Sequence, residues 1–316
     1  ILPIIGILLL LNPMWGFMIL LFLRPLSPPL EYYYLVGRVN LLGVFSFINV
    51  LFAFYVLIKT QNVKLFPENI KWFYIYLVIA LLSILNSSDM FISFIGLMKL
   101  LTLIALFLLA YNIPESLDDA LKIIKGVLIS SVIPILYGIY QLITGEGVQA
   151  ATSGALAEIP RIQFTYTLCN GFALYLGMII LVCILIQFYL HKRMGKTVNL
   201  LILAGASVCL VYTYTRAIWL SSLLSLVCIA VFEKKFRRWL LIIVFICIPL
   251  FHDEVLKRID DLINPPEYGT NSLVFRIEIA RQLFSNAVSE HFFLGSGLGT
   301  SEEIASKYTD FSIVPH

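Results

Sequence analysis

Charge is scarce in this chain, and the scarcity excludes a water-soluble enzyme or binding module. Lysine, arginine, aspartate and glutamate supply 13% of the 316 residues while apolar residues supply 60%, whereas a soluble domain carries about 25% charged residues. No basic tract with interleaved aromatics is present, so nucleic acid is not an expected partner. Cysteine is sparse as well. Cys169, Cys183, Cys209, Cys228 and Cys247 lie singly inside apolar stretches without CxxC spacing. They read as small core or lipid-facing residues, which excludes a disulfide framework and a sulfur-ligated metal site. HExxH and Ser-His-Asp arrangements are missing, and Asp260-Asp261, a paired acidic site in the terminal polar segment, is a weak metal candidate. No metal and no cofactor are expected.

What is present is a succession of long apolar runs broken by short charged loops. That is the pattern of helices threading a bilayer, at about 20 residues per crossing. Spans are expected near 1–23, 37–58, 72–86, 90–111, 126–144, 164–190, 198–215, 217–232 and 239–251. The fold class is therefore an all-α, polytopic transmembrane bundle of about nine helices over 1–251, followed by a polar segment over 252–316. Alternate loops differ in charge. One set carries Lys59, Lys64, Lys71, Lys122, Lys125, Lys192, Arg193, Lys196, Lys234, Lys235, Arg237 and Arg238; the other carries only Arg24, Arg38, Arg161 and Arg216. By the positive-inside bias the first set is cytoplasmic, which places the second set and residues 252–316 on the outer side. The first residue is Ile1 rather than Met, and the first apolar run is too long for a signal peptide, so it reads as a retained anchor. We expect the chain to be a fragment at both ends.

The outer side holds the residues of interest. Arg216 stands in Thr213-Tyr214-Thr215-Arg216-Ala217-Ile218-Trp219, between two spans barely long enough to cross. They must form a tight hairpin with the arginine at the outer interface. Two readings stand: an interfacial anchor among Tyr212, Tyr214 and Trp219, or a partly buried guanidinium that holds an anionic partner. Arg161 ends a loop rich in small residues, just before the next span, and taken alone suits a headgroup contact. Arg276 lies in a stretch where Leu273, Ile277, Ala280, Phe284 and Ala287 recur at helical spacing, which predicts an amphipathic helix over 272–289 lying on the membrane or on the bundle top. Arg281, on the same stretch, reads as solvated. Lys99 is the single charge deep in a span, and either snorkels or faces a protein interior. Gly295-Ser296-Gly297-Leu298-Gly299-Thr300 superficially looks like a phosphate loop but follows a helix, with the spacing of neither nucleotide motif.

Several of these pieces together resemble the O-antigen ligase/polymerase family of bacterial polysaccharide enzymes. The resemblance rests on Pro160-Arg161-Ile162 with Asn170-Gly171-Phe172-Ala173, on Thr215-Arg216-Ala217-Ile218-Trp219-Leu220, on Phe275-Arg276-Ile277, on Phe293-Leu294-Gly295-Ser296-Gly297-Leu298-Gly299-Thr300, and on Pro315-His316. It covers most of the second half of the chain; the first half matches only as a series of spans. The resemblance implies a GT-C-like helical fold in the bacterial inner membrane with an extracytoplasmic active site, and further spans beyond residue 316. The implied donor is a glycan on undecaprenyl diphosphate and the implied acceptor a sugar hydroxyl of lipid A core. A polymerase would use a carrier-linked glycan as acceptor instead, and a pilin glycan transferase would use a protein. In this reading Arg216 and Arg276 grip the diphosphate, Arg161 is a third clamp, and His316 is the base. Cationic stabilisation of the leaving group makes a metal ion unnecessary. A transporter of lipid-linked glycan is the reading from another class; it predicts internal repeats and polar residues near mid-membrane.

Overall fold

The computed structural model describes residues 12–36, 39–60, 63, 71–150, 160–166, 168–190, 195–233, 236–237, 256, 277, 280–282, 284, 295 and 297–300. Among them the chain is an all-α polytopic membrane protein, with strands limited to two short antiparallel pairs. Helix α1 (Pro13–Leu23) starts where Asn12 Oδ1 accepts the Met14 N–H at 3.0 Å and Pro13 supplies the first helical residue. A 3₁₀ turn (Arg24–Leu26) continues it, and the strands β1 (Tyr34–Val36) and β2 (Val39–Asn40) follow. Helices α2 (Leu41–Lys59), α3 (Lys71–Ile84), α4 (Met90–Asn112) and α5 (Leu117–Thr144) come next. After β3 (Gln149–Ala150) and β4 (Pro160–Arg161) the chain forms α6 (Cys169–Leu185), α7 (Lys196–Tyr212) and α8 (Arg216–Phe232). Their starts are written locally: Asn40 Oδ1 caps α2 at the Gly43 N–H (2.8 Å), and Asp89 Oδ1 caps α4 at Phe91 and Ile92.

Among the described residues, four helices, Leu41–Lys59, Met90–Asn112, Leu117–Thr144 and Cys169–Phe188, are long and apolar enough to cross a membrane. Only 28% to 50% of their most apolar stretches is buried in protein, so the remaining apolar surface suits lipid rather than water. The other four are apolar but shorter.

Helix α5 begins at Leu117 rather than near 126. Ser116 and Asp119 form a reciprocal cap, with the Asp119 N–H donating to Ser116 Oγ at 3.2 Å and the Ser116 hydroxyl to Asp119 Oδ2 at 2.8 Å. Asp118 and Asp119 also complement the helix dipole, so a polar stretch that hydropathy assigns to a loop is helical and carries Lys122 and Lys125. Helix α6 starts at Cys169 rather than near 164, because Phe164 has a φ of +56°, which no right-handed helix accommodates. Lys99 is exposed on α4, which removes the interior reading and leaves the snorkelling one. Cys169, Cys183 and Cys209 are buried while Cys228 is exposed. The expected first eleven residues of the opening span and the expected span at 239–251 lie outside the described residues.

The chain divides into two compact units. One comprises Ile1–Leu20, Leu30–Ala120 and Ser272–His316. In it α4 packs along α2 and against α3, with Ala80, Leu100, Ile104 and Leu108 at the centre of a small core that Leu298 joins. The other comprises Leu21–Pro29 and Leu121–Asn271, with α6 packed between neighbours α7 and α8. Helix α5 approaches α7 closely: a Cβ at Gly205 would stand 2.7 Å from Ile135 Cγ2, a distance only glycine allows.

Candidate functional site

The second unit folds its polar residues around the turn between α7 and α8. Helix α7 ends at Tyr212 and α8 begins at Arg216, so residues 213–215 alone make the connection. The tight hairpin expected from the sequence is present. The turn is buried, with Thr213 fully covered and Tyr214 and Thr215 nearly so. Tyr214 has a φ of +51°, a left-handed conformation unfavourable for a residue with a side chain. Such a conformation persists only where the surroundings hold it.

Arg161 holds it. Strand β4 pairs with β3, opposing Arg161 to Gln149, and delivers the guanidinium to the turn. Its Nε donates to the Thr213 carbonyl at 2.9 Å, and Nη2 reaches the Tyr214 carbonyl at 3.4 Å and Thr215 Oγ1 at 3.3 Å. The Ile162 N–H adds a bond to the Tyr212 carbonyl at 3.3 Å. Asn170, in the first turn of α6, accepts from the Thr215 hydroxyl at 3.3 Å. The rigid planar fork of arginine suits a curved set of carbonyl acceptors better than a lysine ammonium would.

A second clamp supports the first. Gln141, buried near the end of α5, spends its whole amide on loop backbone, most of it on the residues that follow Arg161. Its Oε1 accepts from the Gln163 N–H at 3.2 Å and the Phe164 N–H at 2.8 Å, and its Nε2 donates to the carbonyls of Phe164 and Gly147. Phe164 thereby keeps its own left-handed conformation, with its ring edge-on to Tyr137 at 5.5 Å and tilted against Phe172 at 5.8 Å. Gln163 Oε1 and Thr165 Oγ1 are buried beside this backbone without a hydrogen-bond partner among the described residues.

Two guanidiniums and a helix N-terminus come together at this corner. Arg216 is the first residue of α8, whose first turn contains no acidic side chain. A helix N-terminus carries roughly half a positive charge, so a cation placed there opposes the dipole and an anion is favoured. Burial lowers the basicity of Arg161; the neighbouring Cys169 opposes that shift, and the like charge of Arg216 adds to it. The Arg161 guanidinium nonetheless remains protonated, as arginine does in proteins. Across the same unit, burial pushes the Tyr166 phenol up to about 12 while the charge of Arg24 pulls the other way. Arg24 therefore lies near Tyr166, and it bonds Ser27 Oγ at 3.4 Å.

Residues 198–314 match the family model described as O-antigen ligase. Over this stretch the chain is similar to the O-antigen ligase family. No curated protein and no solved structure gives a significant match to the chain. The ligase-family stretch contains Arg216, Arg276 and the glycine run at 295–300, and it excludes Arg161 and His316. Of the four residues singled out in the sequence, Arg161 and Arg216 meet at one turn. Arg276 and His316 lie outside the described residues. On the expected amphipathic helix, Ile277, Ala280, Arg281, Gln282 and Phe284 are helical, and Ile277, Ala280, Arg281 and Phe284 are exposed, which agrees with a solvated Arg281. Sequence reasoning missed Gln141. Its one signal was an amide near the end of an otherwise apolar span.

Proposed function

We propose that the protein is a membrane glycosyltransferase of O-antigen ligase type. It transfers a glycan from undecaprenyl diphosphate to a sugar hydroxyl of lipid A core, on the outer side of the bacterial inner membrane. The observation that carries this reading is the convergence of Arg161, Arg216 and the α8 N-terminus at one buried turn, with Arg216 inside the ligase-family stretch. Such a concentration of positive charge suits the dianionic diphosphate of a lipid carrier.

In the proposed reaction the acceptor hydroxyl oxygen attacks the anomeric carbon of the carrier-linked glycan. The bond from that carbon to the diphosphate oxygen breaks as the new glycosidic bond forms. His316 takes the hydroxyl proton, and undecaprenyl diphosphate leaves with the bonding electron pair. Negative charge grows on the diphosphate oxygens as the bond breaks, so cations fixed beside them stabilise the transition state more than the ground state. Arg216 and Arg276 serve that role, and Arg161 contributes to the same positive field. Because guanidiniums supply the charge, EDTA is not expected to stop the reaction.

The test is transfer by the full chain in liposomes, with an undecaprenyl-diphosphate glycan and lipid A core, read by gel shift in the presence of EDTA. Transfer by wild type that is lost in Arg216→Ala supports the reading. Lengthening of carrier-linked glycan without transfer to lipid A core would make the protein a polymerase. Movement of the lipid-linked glycan across the bilayer without any new glycosidic bond would make it a transporter.

A further inference from the structure

The glycine run at 295–300 lies in the first unit, against the hairpin of α3 and α4. Asn86 Nδ2, in the turn between those helices, donates to the Gly295 carbonyl at 2.8 Å. Gly295, Gly297 and Gly299 have φ values of +66°, +109° and +83°, conformations that side chains resist. Space excludes side chains as well. A Cβ at Gly297 would fall 2.6 Å from Ser87 Oγ and 2.9 Å from Ser87 Cα. The fit is reciprocal: a methyl on Gly96, inside α4, would crowd the loop, because its Cβ would stand 3.0 Å from Leu298 Cγ and 3.2 Å from the Leu298 carbonyl oxygen. Leu298 packs on the core formed by Ala80, Leu100, Ile104 and Leu108. Thr300 is buried and closes the turn by donating to the Gly297 carbonyl at 2.9 Å.

A glycine within a helix costs about 1 kcal/mol relative to alanine. Gly96 is therefore a concession by α4 to the loop, and the loop glycines are concessions in return. A contact specified from both sides fixes a position; it does not merely fill space. No phosphate function follows from it: the Gly295 carbonyl receives a hydrogen bond from protein, and the loop is seated on two helices.

We propose that residues 295–300 are a positioning element that fastens the polar segment to the α3–α4 hairpin, with Asn86, Ser87 and Gly96 as its receptor. This rests on the function proposed above. The loop lies between Arg276 and His316 in the sequence, so anchoring it fixes the point from which both are presented to substrate. Gly96 and Leu298 touch no reacting atom in this scheme; they act through the two residues they help to place.

The test alters the receptor and leaves the loop backbone alone. In the full chain in liposomes, Gly96→Ala improves helix propensity but pushes on Leu298. Transfer is expected to fall about 10-fold in kcat, and about 100-fold for Gly96→Leu, with the donor KM moving less than about 3-fold. Leu298→Ala placed in the Gly96→Ala background, which removes the crowded Cγ, is expected to restore most of the loss. Contact is read separately by a Ser83→Cys, Gly295→Cys pair, since a Gly295 Cβ would lie 3.6 Å from Ser83 Oγ, within disulfide reach. The pair should cross-link, and cross-linking should drop when Gly96→Leu is added. Wild-type kcat in Gly96→Leu, a loss confined to KM, or an undiminished cross-link in that variant would each overturn the proposal. A wild-type chain that transfers nothing would overturn the functional reading and the positioning role together; the cross-link would still report the contact, which separates the two failures.

Discussion

Replacing Arg161 separates two roles open to a cation at this turn: a ligand of the proposed diphosphate substrate, or a pin that holds Arg216. The geometry favours the pin. Nε is committed to the Thr213 carbonyl at 2.9 Å, and Nη2 to the Tyr214 carbonyl and Thr215 Oγ1 at 3.4 and 3.3 Å. The first bond is short and made by a charged donor to a buried acceptor; the other two are long and individually weak. The Thr213 carbonyl keeps a second donor in the Thr215 hydroxyl at 3.3 Å, so Arg161→Ala does not orphan it completely. Loss of the set should cost the turn about 2–4 kcal/mol, one charge-assisted bond plus a fraction for the longer ones. That is enough to release Tyr214 from its left-handed conformation, which itself disfavours the turn by roughly 1–2 kcal/mol. With the turn loosened, Arg216 loses its aim, and a misplacement of about 1 Å near the chemistry lowers rate about 100-fold, or about 2.7 kcal/mol.

Two variants and two measurements decide it. Initial transfer rates over a range of donor concentration give kcat and KM, and amide hydrogen exchange across 212–219 reads the turn directly. Arg161→Ala should lower kcat about 100-fold and speed exchange across the turn. Arg161→Lys keeps a positive charge but lacks the fork, so it should recover little of either. If Arg161 were instead a ligand of the diphosphate, Lys would preserve most activity, KM would carry the loss, and exchange would match wild type. That outcome would refute the pin.

Arg216→Ala should lower kcat about 100- to 1000-fold, as loss of one preorganised donor to a developing anion does, while exchange across the turn stays near wild type. Gln141→Leu leaves the Phe164 N–H and carbonyl without their partner and should destabilise the unit by about 2–4 kcal/mol, read as a lower Tm in detergent. Tyr166, with its phenol pushed up to about 12, holds its proton more tightly folded than unfolded, so its contribution is intact below the ordinary phenol value near 10 and is lost as pH rises towards 12. The stability of Tyr166→Phe should therefore decline less steeply than wild type over that interval.

The sequence showed the membrane crossings because hydropathy is a sum over some twenty side chains, and errors at the ends average out. It also showed the α7–α8 hairpin, since two minimal spans around one arginine leave no residues for a longer loop. The ends of α5 and α6 were less legible, for opposite reasons. Helix α5 extends into polar sequence because Ser116 and Asp119 cap it, a local signal that hydropathy overlooks. Helix α6 starts late because Phe164 is left-handed, and no glycine or asparagine at that position advertises it. The two strand pairs were invisible for a related reason: each is only two or three residues long and depends on neighbours for its conformation. The role of Arg161 was hidden for a different reason. Its partners are backbone carbonyls, which every residue possesses, so no side-chain pattern could name them.

That hidden partnership bears on where the ligase-family domain ends in physical terms. The matched stretch begins at residue 198, well after Arg161. The turn that sets Arg216, however, takes its hydrogen bonds from Arg161, Ile162 and Asn170, all upstream of the match. Gln141 in turn holds the backbone between Arg161 and α6. A chain cut at the start of the match would keep Arg216 and the turn's own bonds, such as Trp219 Nε1 to the Leu210 carbonyl at 3.0 Å, but would lose the clamp from Arg161, Ile162 and Asn170 and the second positive charge beside it. The smallest piece that preserves this corner must therefore reach back at least to α5.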